Sequence, residues 1–180
     1  MSLARIVYRT EQFRKYLGIR AAPLDLSEAR ETLTPAQVAL FLRLQPGEQA
    51  HSLEVFQRLR LEGETGPDLQ TAALLHDVGK SRFPLQVWER VWIVLARKLL
   101  PGRFQAWGAA QGALDELPWW QRACAVAAQH PAWGAELAQA AGCSRRAVSL
   151  IRRHQDHTPL DPQNEEDQLL ARLQAIDDLN

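Results

Sequence analysis

Little in this chain serves disulfide chemistry, membrane crossing or a field of one sign. It has two cysteines in 180 residues, Cys124 and Cys143. They are too few for a disulfide framework and too far apart for a Cys-x-x-Cys site. Both are expected as reduced, mostly buried thiols of a cytoplasmic protein. Twenty-one basic residues meet 21 acidic ones, for a formal net charge of zero. That balance argues against general nucleic-acid binding, so no DNA or RNA partner is expected, and equally against a broad membrane-surface role. The most apolar segment, "VWERVWIVLARKLL", is too short and too charged to span a bilayer. The opening "MSLARIVYRTEQFRKY" lacks the apolar run of a signal peptide. No segment alternates apolar and polar residues as a half-buried strand does, and there is no internal repeat or low-complexity linker.

What the chain does have is helical punctuation around a large apolar fraction, 46% of residues. Thr34-Pro35 reads as a cap followed by proline in the first turn, opening "PAQVALFLRL". "PGEQAHSLEVFQRLRLEG" carries Leu53, Phe56 and Leu59 at helical spacing, with Gly63 as its stop. Asp68 is placed to cap "LQTAALLHDV", which Gly79 closes. Pro84 opens the helix that stops at Pro101-Gly102. Pro118 opens "WWQRACAVAAQH", Pro131 begins a separate short helix, and Ser144 caps "RRAVSLIRRHQ". A last helix, "EEDQLLARLQAIDDLN", follows Pro159 and Pro162. The expected fold is all-α, with eight or nine helices. Residues 1–33 are less patterned and are expected to form an arm or small helical extension to a main domain at 34–180.

The five histidines are His51, His76, His130, His154 and His157. Imidazole nitrogens and carboxylate oxygens are the donors that transition metals and zinc take up when they converge from several elements. "LLHDVGK", residues 74–80, places two such donors side by side. Successive helical residues point about 100° apart, so His76 and Asp77 can face one centre only where the helix ends.

His51, His76-Asp77 and an aspartate in "QAIDDLN" together resemble the HD-domain superfamily of metal-dependent phosphohydrolases, whose pattern is H…HD…D on separate helices. "HDVGK" is similar to the "HDIGK" of the HDIG/HD-GYP branch. "HPAWGAELAQAAG" and "AVSLIRRHQDH" resemble two further segments of that branch, each of which supplies a histidine. The resemblance covers roughly residues 34–180. It implies an all-α HD bundle with the metal site between core helices, and a ligand set of His51, His76, Asp77, His130, His154 and Asp177. Asp178 is the alternative to Asp177, and His157 the alternative to His154. It also implies one or two divalent ions, iron or manganese first, with magnesium, nickel, cobalt or zinc as further candidates. Asp77 would bridge two such ions, which clamp a phosphoryl group for in-line attack. The substrate class is a nucleotide or other small phosphoester, and Asp77 and Lys80 are the catalytic candidates.

Two departures limit the resemblance. The GYP phrase is absent: the text reads "HQDHTPLDPQN", with Gln155 where that branch has a second histidine, so cyclic-di-GMP is not expected. The stretch from Lys80 to His130 is long, and residues from about 84 to 110 look like an inserted helical segment. Two other readings therefore stand beside hydrolysis, a di-iron oxygenase of the same fold and a degenerate HD module that binds without catalysis.

Lysine is scarce, three residues against 18 arginines. Lys80, beside the HD pair, suits a phosphate oxygen or a leaving group. His157 and Arg153 are weaker substrate-binding candidates. The six tryptophans include Trp88 and Trp92, four apart on one helix. Core packing is the ordinary explanation for them, and a lid, a stacking wall or a homodimer through helix 84–100 is the functional one.

Overall fold

The computed structural model describes residues 24–110 and 112–179 of the chain. Among them are nine α-helices and no strand: α1 (Ser27–Thr32), α2 (Pro35–Phe41), α3 (Pro46–Leu61), α4 (Pro67–Leu75), α5 (Val87–Leu99), α6 (Pro101–Gly108), α7 (Trp119–Ala140), α8 (Arg145–Arg153) and α9 (Glu165–Leu179). Two 3-10 segments, Val78–Arg82 and Leu114–Glu116, interrupt the series. The all-α expectation holds.

Most of the sequence punctuation acts as its chemistry requires. Thr34 and Gln37 form a reciprocal capping box ahead of Pro35, which needs no N–H partner in the first turn. Ser144 Oγ accepts the Ala147 N–H at the start of α8. Gly63, at φ +85°, lets the chain turn back after α3, with the Glu64 N–H bonded to the Leu59 carbonyl.

Two expectations change. Gly66 rather than Asp68 is the N-cap of α4, and Asp68 instead accepts a hydrogen bond from Ser144 Oγ at 2.5 Å. Pro131 does not start a new helix: α7 runs through it for 22 residues. Proline deletes one i→i−4 bond, but buried residues on either side, Ala123 to Ala127 before it and Gly134, Ala135 and Ala138 after it, keep both halves packed as one rod. In the described part of the N-terminal extension, Ala29 and Leu33 are buried against the main core. The rest of that extension, 1–23, lies outside the described residues.

The core joins α3, α4, α8 and α9 through Phe56, Leu59, Leu74, Leu75, Ile151 and Leu170, all fully buried. Each such side chain contributes about 1.5–3 kcal/mol by leaving water. This packing fixes the ends of α4 and α8 against α3 and α9. A smaller cluster, Leu85, Ala123 and Val126 with Trp92, Ile93 and Trp133 against it, seats α5 on the first half of α7.

Candidate metal centre

Helix α4 is apolar nearly all round: Leu69, Ala72, Ala73, Leu74 and Leu75 are all fully buried. It delivers His76 and Asp77 into the interior and stops there. His76 keeps helical dihedrals, while Asp77 moves to φ −91°, ψ 0° and leads into the 3-10 turn. The change of pitch is what allows the two adjacent side chains to face the same region, as the dipeptide requires.

Gly79 serves a different purpose from the helix stop read in the sequence. Its φ is not in the left-handed region. A Cβ placed on it would lie 2.0 Å from the His130 carbonyl oxygen and 2.7 Å from the Gly134 nitrogen. Gly134 answers it across the contact, where a Cβ would stand 3.3 Å from the Gly79 nitrogen. The HD turn therefore lies directly on the α7 backbone, and that contact brings Asp77 beside His130.

The donor atoms form two groups that share one residue. His51, His76 and Asp77 make one, and Asp77, His130 and His154 make the other, with the donor atoms of each group within 4.8 Å of one another. Asp77 Oδ1 lies 3.3 Å from His130 Nε2 and 3.9 Å from His154 Nε2. Its other oxygen lies 3.7 Å from His76 Nε2. Asp177, from the last turn of α9, places Oδ1 2.9 Å from His51 Nε2 and 3.5 Å from His76 Nε2. Four helices and one helix end, separated by up to 126 positions in the chain, thus meet at one centre.

Three of the imidazoles are oriented from behind by backbone. Their Nδ1 atoms face the carbonyls of Ala73, Val126 and Ile151, at 2.9, 3.1 and 2.8 Å for His76, His130 and His154. A carbonyl can only accept, so each Nδ1 carries a proton and each Nε2 is turned to the centre. His76 Nε2 is buried without a hydrogen-bond partner. An orphaned buried nitrogen is costly, and a cation at the shared centre removes that cost. The donor set, imidazole and carboxylate only, suits a divalent transition metal. The residues present therefore fit a metal.

The electrostatics agree. Burial opposes ionisation of Asp77, but Lys80, His76 and His130 overcome it and hold its carboxyl well below the usual range. Asp177 is likewise driven down against its burial, by His76 and His51. Burial, together with neighbouring His76 and His130, pushes His154 down to about 3. Burial also lowers His130, with Lys80 reinforcing it. Both rings are thus neutral, as ligands must be. His76 goes the other way: burial favours its neutral form, yet Asp77 and Asp177 raise it to about 9. Buried Asp77 and half-buried Asp177 draw positive charge to this nitrogen, a proton when no metal supplies it.

Lys80 Nζ donates to Asp77 Oδ2 at 2.6 Å, and its side chain keeps 19% exposure where that of Asp77 keeps 5%. The ammonium thus stands between the carboxylate and solvent. Of the paired alternatives, His154 and Asp177 reach the centre. His157 is exposed because α8 ends at Arg153 and the helical spacing from His154 lapses. Asp178 is exposed on the far side of α9. Arg153 is engaged elsewhere, bonded to Glu166 at 3.1 Å and Asp167 at 2.7 Å.

One feature of the site escaped the sequence reading, the Gly79–Gly134 contact, and "HPAWG" was its only trace. A cavity of about 320 Å³ is bordered by Arg82, Phe83, Leu85, Glu89, Asp115 and Arg122, and neither Lys80 nor any of the donor residues lines it.

The family model described as HD domain matches residues 49–179, a span that begins two residues before His51 and ends two residues after Asp177. Searches of curated proteins and of solved structures find no significant match. With histidine on α3, the His-Asp pair at the end of α4 and aspartate on α9 gathered within that span, the chain belongs to the HD domain family.

Proposed function

We propose that this protein is a metal-dependent phosphohydrolase acting on a nucleotide or other small phosphoester, with two metal positions that share Asp77. The observation that carries the reading is the pair of three-donor groups on either side of that one buried carboxylate. One group offers His51 and His76, with Asp177 adjoining, and the other offers His130 and His154. Divalent ions held there supply a water of lowered pKa and positive charge for the developing phosphoryl oxygens. The three carbonyl-anchored imidazoles keep their Nε2 atoms turned to the centre, so little reorganisation accompanies binding. Lys80, at the solvent side of Asp77, meets a phosphate oxygen that approaches the centre. The "HDVGK" phrase supports placement near the HDIG branch, and the missing GYP phrase supports a substrate other than cyclic-di-GMP.

The test is elemental analysis of protein purified without chelator, followed by a phosphoester panel on the same samples. Wild type is expected to hold about two equivalents of divalent metal, and the double variant His76→Ala/Asp77→Ala to hold none. Lys80→Gln is expected to retain metal while kcat/KM falls about 100-fold, the usual cost of losing one donor to a developing charge. Metal-loaded protein that hydrolyses no phosphoester but consumes oxygen would replace this reading with a di-iron oxygenase. Metal-free protein that still binds nucleotides would replace it with a binding module.

A further inference from the structure

Helix α5 wears its apolar side outwards. Trp88, Val91, Val94, Leu95 and Leu99 fall on one arc of it and are 44 to 66% exposed, while Glu89 and Ala96, on the opposite arc, are buried. A surface helix normally does the reverse. The face continues onto exposed Leu100 and Pro101, where the chain turns into α6. At its other end it meets Trp119 and Trp120, both more than a third exposed, with Trp88 edge-on to Trp119 at 4.4 Å.

The charge along the exposed part of α5 and α6 is of one sign. Between Glu89 and Asp115 the sequence has no aspartate or glutamate, but it has Arg90, Arg97, Lys98 and Arg103. Arg90 is turned inward to Glu48, at 2.6 Å. Lys98 and Arg103 are exposed on either side of the Leu99-Leu100-Pro101 turn. Arg97, also exposed, sits over the Phe104 ring at 5.0 Å. A chain neutral as a whole thus gathers cations at the tip of an outward apolar helix.

We infer that the α5–α6 hairpin docks on an anionic lipid surface, burying Leu95, Leu99 and Leu100 below the headgroups and setting Lys98 and Arg103 against lipid phosphates. The inference does not rest on the phosphohydrolase reading. An exposed apolar stripe with tryptophan at its rim and lysine and arginine among the apolar residues is the composition of an interfacial helix. No helix among the described residues is long and apolar enough to cross a membrane, and a 13-residue α5 reads as lying on a surface rather than spanning one. A second copy of the chain is the competing occupant, and charge disfavours it. Two α5 faces brought together present cations and no exposed carboxylate of their own, because Glu89 is buried and lies 3.6 Å from Arg122.

The full chain is tested by flotation with vesicles of phosphatidylcholine alone and of phosphatidylcholine mixed with phosphatidylglycerol. Wild type is expected to float with the mixed vesicles only, and less as salt is raised. Lys98→Gln/Arg103→Gln is expected to weaken partitioning about thirtyfold, the effect of two lost charges at the surface. Leu95→Glu/Leu99→Glu is expected to abolish it. Unchanged melting temperature and metal content in both variants establish that the fold survives. Failure of folded wild type to float with the mixed vesicles would overturn the inference. So would equal binding to both vesicle types, or a wild-type dimer in sedimentation equilibrium that Leu95→Glu/Leu99→Glu dissociates while vesicles bind neither protein.

Discussion

At the scale of single residues, the centre is decided by which of two neighbouring candidates faces inward. "DD" at 177–178 and the two histidines 154 and 157 look equivalent along the chain, and helical geometry separates them. Asp177 follows buried Ile176 and Leu173 on α9 and is carried toward His76, while Asp178 turns to solvent. His154 lies at the end of α8, where the Ile151 carbonyl orients its ring, and His157 lies beyond the helix. Asp177→Asn and His154→Ala are therefore expected to weaken metal binding at least 100-fold, the upper range for losing even a residue that only supports a ligand. Asp178→Asn and His157→Ala are expected to leave it unchanged. Competition with a fluorescent chelator measures all four, and a full loss in Asp178→Asn would mean that the last turn of α9 is seated differently.

At the scale of elements, the decisive contact is the 3-10 turn after Asp77 lying on α7. Gly79→Ala is expected to be among the most damaging single changes outside the donor set. Its Cβ would stand 2.0 Å from a backbone oxygen that no side-chain rotation can move. Overpacking of this kind costs about 1–3 kcal/mol or more. Relief requires the turn to lift from α7, which separates Asp77 from His130. Gly134→Ala meets a methyl of Ile151 at 3.2 Å and the Gly79 backbone nitrogen at 3.3 Å, contacts that a few tenths of an ångström relieve. Thermal melts should rank Gly79→Ala far below Gly134→Ala, with metal content following the same order; equal melts would show that the turn does not bear on α7. Pro131 adds to this picture, since its position directly after His130 does not break the rod that both glycine contacts and His130 need.

At the scale of the whole molecule, one centre draws α3, α4, α7, α8 and α9 together, so occupancy bears on global stability. Metal that binds only the folded chain stabilises it by about 2.7 kcal/mol at a hundredfold excess over Kd. For a chain of this length that corresponds to roughly 5–10 °C in Tm. Differential scanning calorimetry before and after chelator treatment is expected to show a drop of that size. It should return on adding manganese or iron and be missing in His76→Ala/Asp77→Ala. A drop of equal size in the double variant would place the stabilising ion elsewhere.

The sequence by itself determined the helical class and most helix limits. Caps and stops such as Thr34-Pro35, Ser144 and Gly63 act through hydrogen bonds within a few residues, and those bonds need no distant partner. It also supplied the candidate donors, through the resemblance of its "H…HD…D" pattern and its two further histidine segments to the HD-domain superfamily. The tertiary structure alone decided which donors share a carboxylate, why Gly79 must be glycine, that Pro131 lies inside a helix, and that α5 faces outward. Each of these depends on what lies across a contact from residues tens of positions away, and local spacing holds no information about the opposite side of a contact.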